Sequence, residues 1–213
     1  MVIKIGVLEL QGDFALHHLI LQKIGVQSIK VKKPLHLDGI DGLVIPGGES
    51  TTMSNLIETF ELREGLIDFS SSFPVMGTCA GSILMSNKLI DDNRINPLGL
   101  VEFSIERNAY GRQIKSGTEN IQFNFSHKNT QNLPATFIRA PKIKKLSEEC
   151  MVLGTLNDDP VAFISGKLCL TFHPELDQID IFHRILFDPQ SEVYYKKIGQ
   201  KHFAEISTKY KCS

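Results

Sequence analysis

Two short segments of this 213-residue chain carry residues suited to nucleophilic chemistry. The first is Gly77-Thr78-Cys79-Ala80-Gly81, preceded by the apolar Val75-Met76 and followed by Ile83, Leu84 and Met85. That order predicts a short strand turning abruptly into a helix, the nucleophile-elbow arrangement that lifts a reactive atom above a sheet. Small neighbours relieve the crowding of such a turn. The positive end of the helix favours a thiolate, and its first N–H groups suit an oxyanion. Taken alone, the pentapeptide also fits a buried cysteine in an ordinary strand-to-helix turn.

A thiol nucleophile needs a base, and the base needs something to orient it. His173-Pro174-Glu175 follows the apolar run Leu168 to Phe172. Residues two apart on extended chain project to the same side, so Glu175 can hold the His173 ring. The other histidines (His17, His18, His36, His127, His183 and His202) read as ordinary surface or core residues, and His173 stands apart through Glu175 and its order after Cys79. A third segment, Pro46-Gly47-Gly48-Glu49-Ser50, lets the main chain approach a ligand closely. It lacks the spacing of a dinucleotide or phosphate loop and is expected to face the nucleophile instead.

The elements that must position these groups alternate along the chain. Ile3 to Leu8, Val26 to Val31, Gly42 to Ile45 and Val75-Met76 read as strands, as do Phe137-Ile138, Val161 to Ile164 and Leu168 to Phe172. Helices are expected after Asp13, which is placed to cap the first of them, after Ser50-Thr51-Thr52, after Cys79, and from about Gln178 to Phe187. Segments 87–96 and 115–132 look loop-like. Alternating strands and helices imply a mostly parallel sheet with helices on both faces. The carboxyl ends of such strands are where sites form.

A net charge of −1 and 42% hydrophobic residues give no pull toward nucleic acid or a membrane surface. No apolar run approaches the roughly 20 residues that span a bilayer. Cys79, Cys150, Cys169 and Cys212 make neither a zinc site nor a disulfide framework, which fits a cytoplasmic protein with free thiols.

Together these segments resemble the triad glutamine amidotransferases, and more narrowly the glutaminase subunits of pyridoxal 5′-phosphate synthase. The resemblance rests on the run from Gly6 to Asp13, the run from Gly42 to Met53, and the Cys79 pentapeptide. It continues through Glu106 to Gln113, Phe137 to Pro141, and Phe172 to Glu175. These keep family order over residues from about 3 to 187.

The resemblance implies a flavodoxin-like three-layer α/β sandwich over residues 1–190 that hydrolyses L-glutamine to glutamate and ammonia. Cys79 would be the nucleophile, His173 the general base and later acid, and Glu175 the orienting carboxylate. Gly48 and Ala80 would supply oxyanion N–H groups. Gly48, Glu49, Ser50, Arg107, Ile138 and Arg139 would hold glutamine, with an arginine on the α-carboxylate and Glu49 near the ammonium. The ammonia would pass to a separate synthase (lyase) subunit making pyridoxal 5′-phosphate, with Gln11 in the region that couples the two. The resemblance implies no metal and no cofactor for this chain.

Residues 191–213 depart from the family pattern as a lysine-rich extension, helical or disordered. Three alternatives stand beside the main reading. One is the glutaminase subunit of another ammonia-channelling synthase, which should lack the Leu10-Gln11-Gly12 opening. Another is a non-catalytic scaffold of the same fold. The last is a peptidase or esterase on a related elbow, which would want an extended or hydrophobic groove where Glu49, Arg107 and Arg139 suit a small zwitterion.

Overall fold

A computed structural model describes residues 2–90, 92–107, 109, 116–126 and 129–195. Most of the lysine-rich extension and part of the run from Glu106 to Gln113 lie outside the described residues.

The first half alternates as expected. Strand β1 (Lys4–Leu8) leads to helix α1 (Phe14–Lys23), then β2 (Gln27–Val31), a 3₁₀ turn at Pro34–Leu37, and β3 (Gly42–Ile45). Helices α2 (Ser50–Thr59) and α3 (Arg63–Ser72) follow, then β4 (Val75–Thr78) and α4 (Ala80–Met85). The second half is mainly strands: β5 (Ser86–Ile90), β6 (Val101–Glu106), β7 (Ser116–Ser126), β8 (Asn129–Ile138), β9 (Lys142–Leu146), β10 (Met151–Leu156), β11 (Asp159–Ile164) and β12 (Leu168–Leu170). Helix α5 (Ile181–Phe187) is the last element among the described residues.

The central sheet has the order β10-β11-β12-β4-β3-β1-β2. Strands β12, β4, β3, β1 and β2 pair in parallel, and β10 and β11 add an antiparallel edge. The parallel part has the flavodoxin-like order. Alternate residues of each strand enter opposite cores. Ile5, Val7, Val44 and Met76 face α1 and α5, whereas Leu8, Leu43, Ile45 and Val75 face α2, α3 and α4. Burial on both faces explains why these strands read as continuous apolar runs.

Two sequence expectations need correction. Segment 115–132 is not loop: its described residues belong largely to a long antiparallel hairpin of β7 and β8, with Ser116 opposite Ile138. Its inward side carries Ile121, Phe123 and Phe125, which join the core beneath α5. The start of segment 87–96 belongs to β5, paired in parallel with β6. In addition, α3 forms where no helix was anticipated. It buries Leu66 and Phe69 while its last turn is Ser70-Ser71-Ser72, three weak helix formers that hide the period.

The core between α1 and α5 is aromatic. Phe182 on α5 meets Phe123, Phe125 and Phe172 edge-on at ring separations of 5.0, 5.5 and 5.3 Å. Two histidines are buried in the same layer, His17 on α1 and His183 on α5, and both are wholly inaccessible. Burial drives each imidazolium down to about 3, against an attraction from Glu175 at His17. Both rings are therefore neutral near pH 7.

Phe182→Ala should cost about 3–5 kcal/mol, read as a lower urea midpoint. The histidines give a pH signature of definite sign. Each has a folded-state pKa below the ordinary 6.5, so the unfolded chain binds the extra proton and stability falls as pH drops from 6.5 toward 3. His183→Gln removes one such proton. It should flatten the loss of stability between pH 6 and 4.5 by up to about 1.4 kcal/mol per pH unit. Urea midpoints at three pH values would measure it, and an unchanged slope would contradict the buried neutral state of His183.

Candidate active site

Cys79 occupies the junction between β4 and α4 with φ 46° and ψ −105°, outside the ordinary regions for a residue with a side chain. The strain is held from several directions. The Cys79 N–H donates to the Leu170 carbonyl at 2.8 Å. The Ser82 hydroxyl lies 2.7 Å from the Leu170 carbonyl and 3.0 Å from that of Gly77, and it accepts the Leu170 N–H at 3.1 Å. Gly81 presses against the backbone of Ile45, so closely that a Cβ there would strike the carbonyl oxygen. The elbow anticipated from the pentapeptide is present, and the requirement for glycine comes from that helix-to-strand contact.

His173 lies just past β12, whose parallel pairing to β4 sets Leu170 beside Thr78. Its Nδ1 is 2.6 Å from Glu175 Oε1, and both residues are buried, at 3% and 1% exposure. The backbone around them is fixed by β8. His173 N–H donates to the Thr136 carbonyl at 2.9 Å, while Asp177 accepts from both the N–H and the hydroxyl of Thr136. Burial alone would lower the His173 pKa. The hydrogen bonds of its ring with Cys79 and Glu175, and the electrostatic influence of both, outweigh it and raise it to about 10. Gly47 packs against the imidazole edge, and a side chain there would collide with the ring.

These groups open onto a cleft of about 250 Å³ lined by Gln11, Gly12, Asp13, Gly48, Glu49, Ser50, Cys79, Ala80, Ile83, Arg107, Ile138, Arg139 and His173. All the residues singled out from the sequence line it except Glu175, which sits behind His173. Arg139 has φ 45°, a second strained position at the cleft, and the Cys79 thiol points to the Ile138 carbonyl at 3.8 Å. Ala80 is the first residue of α4, so its N–H has no acceptor within the helix. The Gln11 side-chain oxygen accepts the Glu49 N–H at 2.6 Å and lies directly against Gly48.

Three side chains behave differently from expectation. Asp13 stands at the N-cap position of α1 but makes no side-chain cap; its carboxylate lies 3.8 Å from His173 Nδ1 instead. Glu49 is the residue that caps a helix. Its carboxylate accepts from Thr51 N, Thr52 N and the Thr52 hydroxyl at 3.0, 2.7 and 2.7 Å. Although partial burial opposes ionisation, those bonds lower its pKa to about 2. Arg107 is already engaged with Asp92 at 2.7 Å, Thr51 at 3.1 Å and Glu49 at 3.3 Å. Asp92 also binds Arg94, and that hydrogen bond, ahead of the Arg107 charge, keeps it well below the usual carboxylate range. Sequence reasoning missed Asp92, which sits in a segment without periodicity.

Asp13, His173 and Glu175 form one group able to gather three ligand atoms within 4.8 Å. The short bond between His173 Nδ1 and Glu175 already occupies the central atoms, which makes the group a hydrogen-bonded pair with an acid at its edge. Among the described residues no helix is long and apolar enough to cross a membrane. Cys79, Cys150 and Cys169 are free thiols.

Comparison with known proteins agrees with this architecture. The family model for the SNO glutamine amidotransferase family matches residues 7–188. The pyridoxal 5′-phosphate synthase subunit PdxT of Thermosipho africanus is 44% identical over 182 residues, covering 84% of this chain and 95% of the relative. That of Thermotoga petrophila is 41% identical over 187 residues, covering 87% and 98%. A crystal structure described as a glutamine amidotransferase superimposes with a TM-score of 0.79 at 35% identity, over 85% of this chain and 96% of that one. A GMP synthase component from Thermoplasma acidophilum shares the fold alone, at 17% identity and a TM-score of 0.61 over 99% and 96%. With the match running from β1 through α5 and relatives above 40% identity, the chain belongs to the SNO glutamine amidotransferase family.

Proposed function

We propose that this chain hydrolyses L-glutamine to glutamate and ammonia through Cys79, His173 and Glu175, as the glutaminase subunit of a pyridoxal 5′-phosphate synthase in the cytoplasm. The observation that carries the reading is the buried 2.6 Å pair of His173 and Glu175 beside a cysteine at a strained elbow, with Cys79 and His173 opening onto the same small cleft. The names of the curated relatives support the pathway.

The Cys79 sulfur attacks the side-chain amide carbon of glutamine, and the carbonyl electrons move onto oxygen. The Ala80 N–H at the start of α4 and the Gly48 N–H on the facing loop receive that oxyanion, each such donor being worth roughly 10²–10³-fold in rate. The high proton affinity of His173 suits it to hold the proton that leaves with ammonia when the C–N bond breaks. His173 then takes a proton from water, which attacks the thioester carbon and releases glutamate and the thiolate. Glu175, behind the ring, keeps Nδ1 protonated and Nε2 toward the sulfur. Arg107 or Arg139 receives the glutamine α-carboxylate, and Glu49 and Ser50 lie at the ammonium end. Since Glu49 and Arg107 are bonded to each other, substrate exchanges part of that internal pairing for its own charges.

Ammonia released into water would be protonated and lost as a nucleophile, so the reaction is useful only against a partner that accepts it. Gln11 is placed to sense that partner, because its side chain ties the end of β1 to the loop bearing Gly48.

Glutamate release should vanish in Cys79→Ala and should depend on the synthase subunit. Cys79-dependent release that ignores the synthase would assign the chain to another amidotransferase, and no Cys79-dependent release would favour a scaffold. Gln11→Ala should lower the synthase-stimulated rate by about tenfold, through loss of order at the Gly48 loop. An unchanged rate in the mixed complex would remove Gln11 from the coupling.

A further inference from the structure

Behind Glu175 lies a pair of buried groups that the hydrolysis above does not use. Glu175 Oε1 is bonded to His173, while Oε2 faces inward, 3.5 Å from His17 Nε2. The other nitrogen of His17, Nδ1, is 2.9 Å from His183 Nε2. Thr78, next to Cys79, places its hydroxyl 3.4 Å from His17 Nε2. Two atoms at the ends of this chain of contacts, His183 Nδ1 and Glu175 Oε2 itself, are buried without a hydrogen-bond partner among the described residues. A chain of contacts thus joins three elements distant in sequence, from α5 to α1 and from α1 to the carboxylate of the segment after β12.

The positions of the protons follow from elimination. Both imidazoles are neutral, because the layer is wholly buried, so each ring carries one N–H. If His17 were protonated on Nδ1, it would donate to His183 Nε2. His183 would then hold an N–H on Nδ1 with no acceptor, and His17 would turn a lone pair toward the Glu175 carboxylate. Both outcomes are unfavourable in a dry interior. With Nε2 protonated on both rings, His183 donates to His17 and His17 directs its N–H at Glu175 Oε2. The two atoms then left without a hydrogen bond, His183 Nδ1 and Glu175 Oε2, are both acceptors, the less costly group to leave unbonded, and His17 turns its N–H rather than a lone pair toward Oε2. The last link, at 3.5 Å, is a charge–dipole contact in a layer closed to solvent.

We propose that His17 and His183 form a neutral two-imidazole relay, each protonated on Nε2, that holds the second oxygen of Glu175 and so fixes Glu175 on His173 during glutamine hydrolysis. Both act through Glu175, as positioning residues. Outer partners that orient a functional histidine typically matter by about 10–100-fold. The role in turnover rests on the glutaminase reading above, whereas the protonation pattern does not.

The test has two arms. In protein labelled with 15N at histidine, long-range 1H–15N correlation between pH 6 and 8 should show His17 and His183 as neutral Nε2–H tautomers, with single variants giving the assignment. An Nδ1–H tautomer or an imidazolium at either position overturns the relay, whether or not the enzyme is active. In the complex with the synthase subunit, His183→Leu should lower kcat about tenfold with KM for glutamine unchanged. His183→Gln, which keeps an N–H donor near the Nε2 position, should restore kcat to within about twofold of wild type. Equal losses in the two variants, or no loss in His183→Leu, overturns the positioning role. If His183→Leu does not fold, the tautomers of the wild type decide. A wild-type protein with the expected tautomers but no glutaminase activity would sink the proposed function and leave the hydrogen-bond relay standing.

Discussion

The parallel pairing of β12 with β4 is the constraint on which the site depends. It joins Leu168, Cys169 and Leu170 to Met76, Gly77 and Thr78, so that one strand delivers Cys79 and its neighbour delivers His173. Neither segment can shift by one residue without turning its side chains to the opposite core, because both faces of the sheet are buried. The Ser82 hydroxyl reinforces the register where it matters most, by bonding both strand ends at once. The strain at Cys79 and Arg139 persists because packing around it leaves no softer alternative.

Around that seam the protein spends its polar groups in layers. The cleft wall holds the charges expected to meet a zwitterion, yet Glu49, Arg107, Asp92 and Arg94 are largely engaged with one another or with the start of α2. Behind the wall, His173 and Glu175 form a short buried pair, and behind that pair lie two uncharged imidazoles. Exposure falls and net charge disappears on going inward. The buried carboxylate of Glu175 is offset by its short bond to His173 and by the His17 ring 3.5 Å from its other oxygen.

Much of this was legible in the residues. The strands β1, β2, β3 and β4 and the helices α1, α2, α4 and α5 follow from apolar runs and turn residues, because parallel strands covered on both faces are the clearest of patterns. Cys79, His173 and Glu175 announced themselves by type, spacing and place at strand ends. Ile121, Phe123 and Phe125 do alternate, but the glycine, serine and asparagine residues around them obscured the β7–β8 hairpin. Local rules also misjudge two acids: Asp13 at the N-cap position of α1 makes no side-chain cap, and Glu49, read as a substrate contact, caps α2 as well. His17 and His183 looked ordinary because burial of an imidazole leaves no mark on periodicity. Their importance comes from contacts across most of the chain's length.

The order of β12 in the chain has a consequence for synthesis. This strand lies between β4 and β11, both of which leave the ribosome before it. Until residues 168–170 emerge, the growing chain presents two unpaired strand edges and has no His173 beside Cys79. The domain therefore closes in one late step, with the gap in its sheet filled by the strand that also brings His173. A chain stopped before β12 lacks both His173 and Glu175, and its open edges are suited to recognition by chaperones.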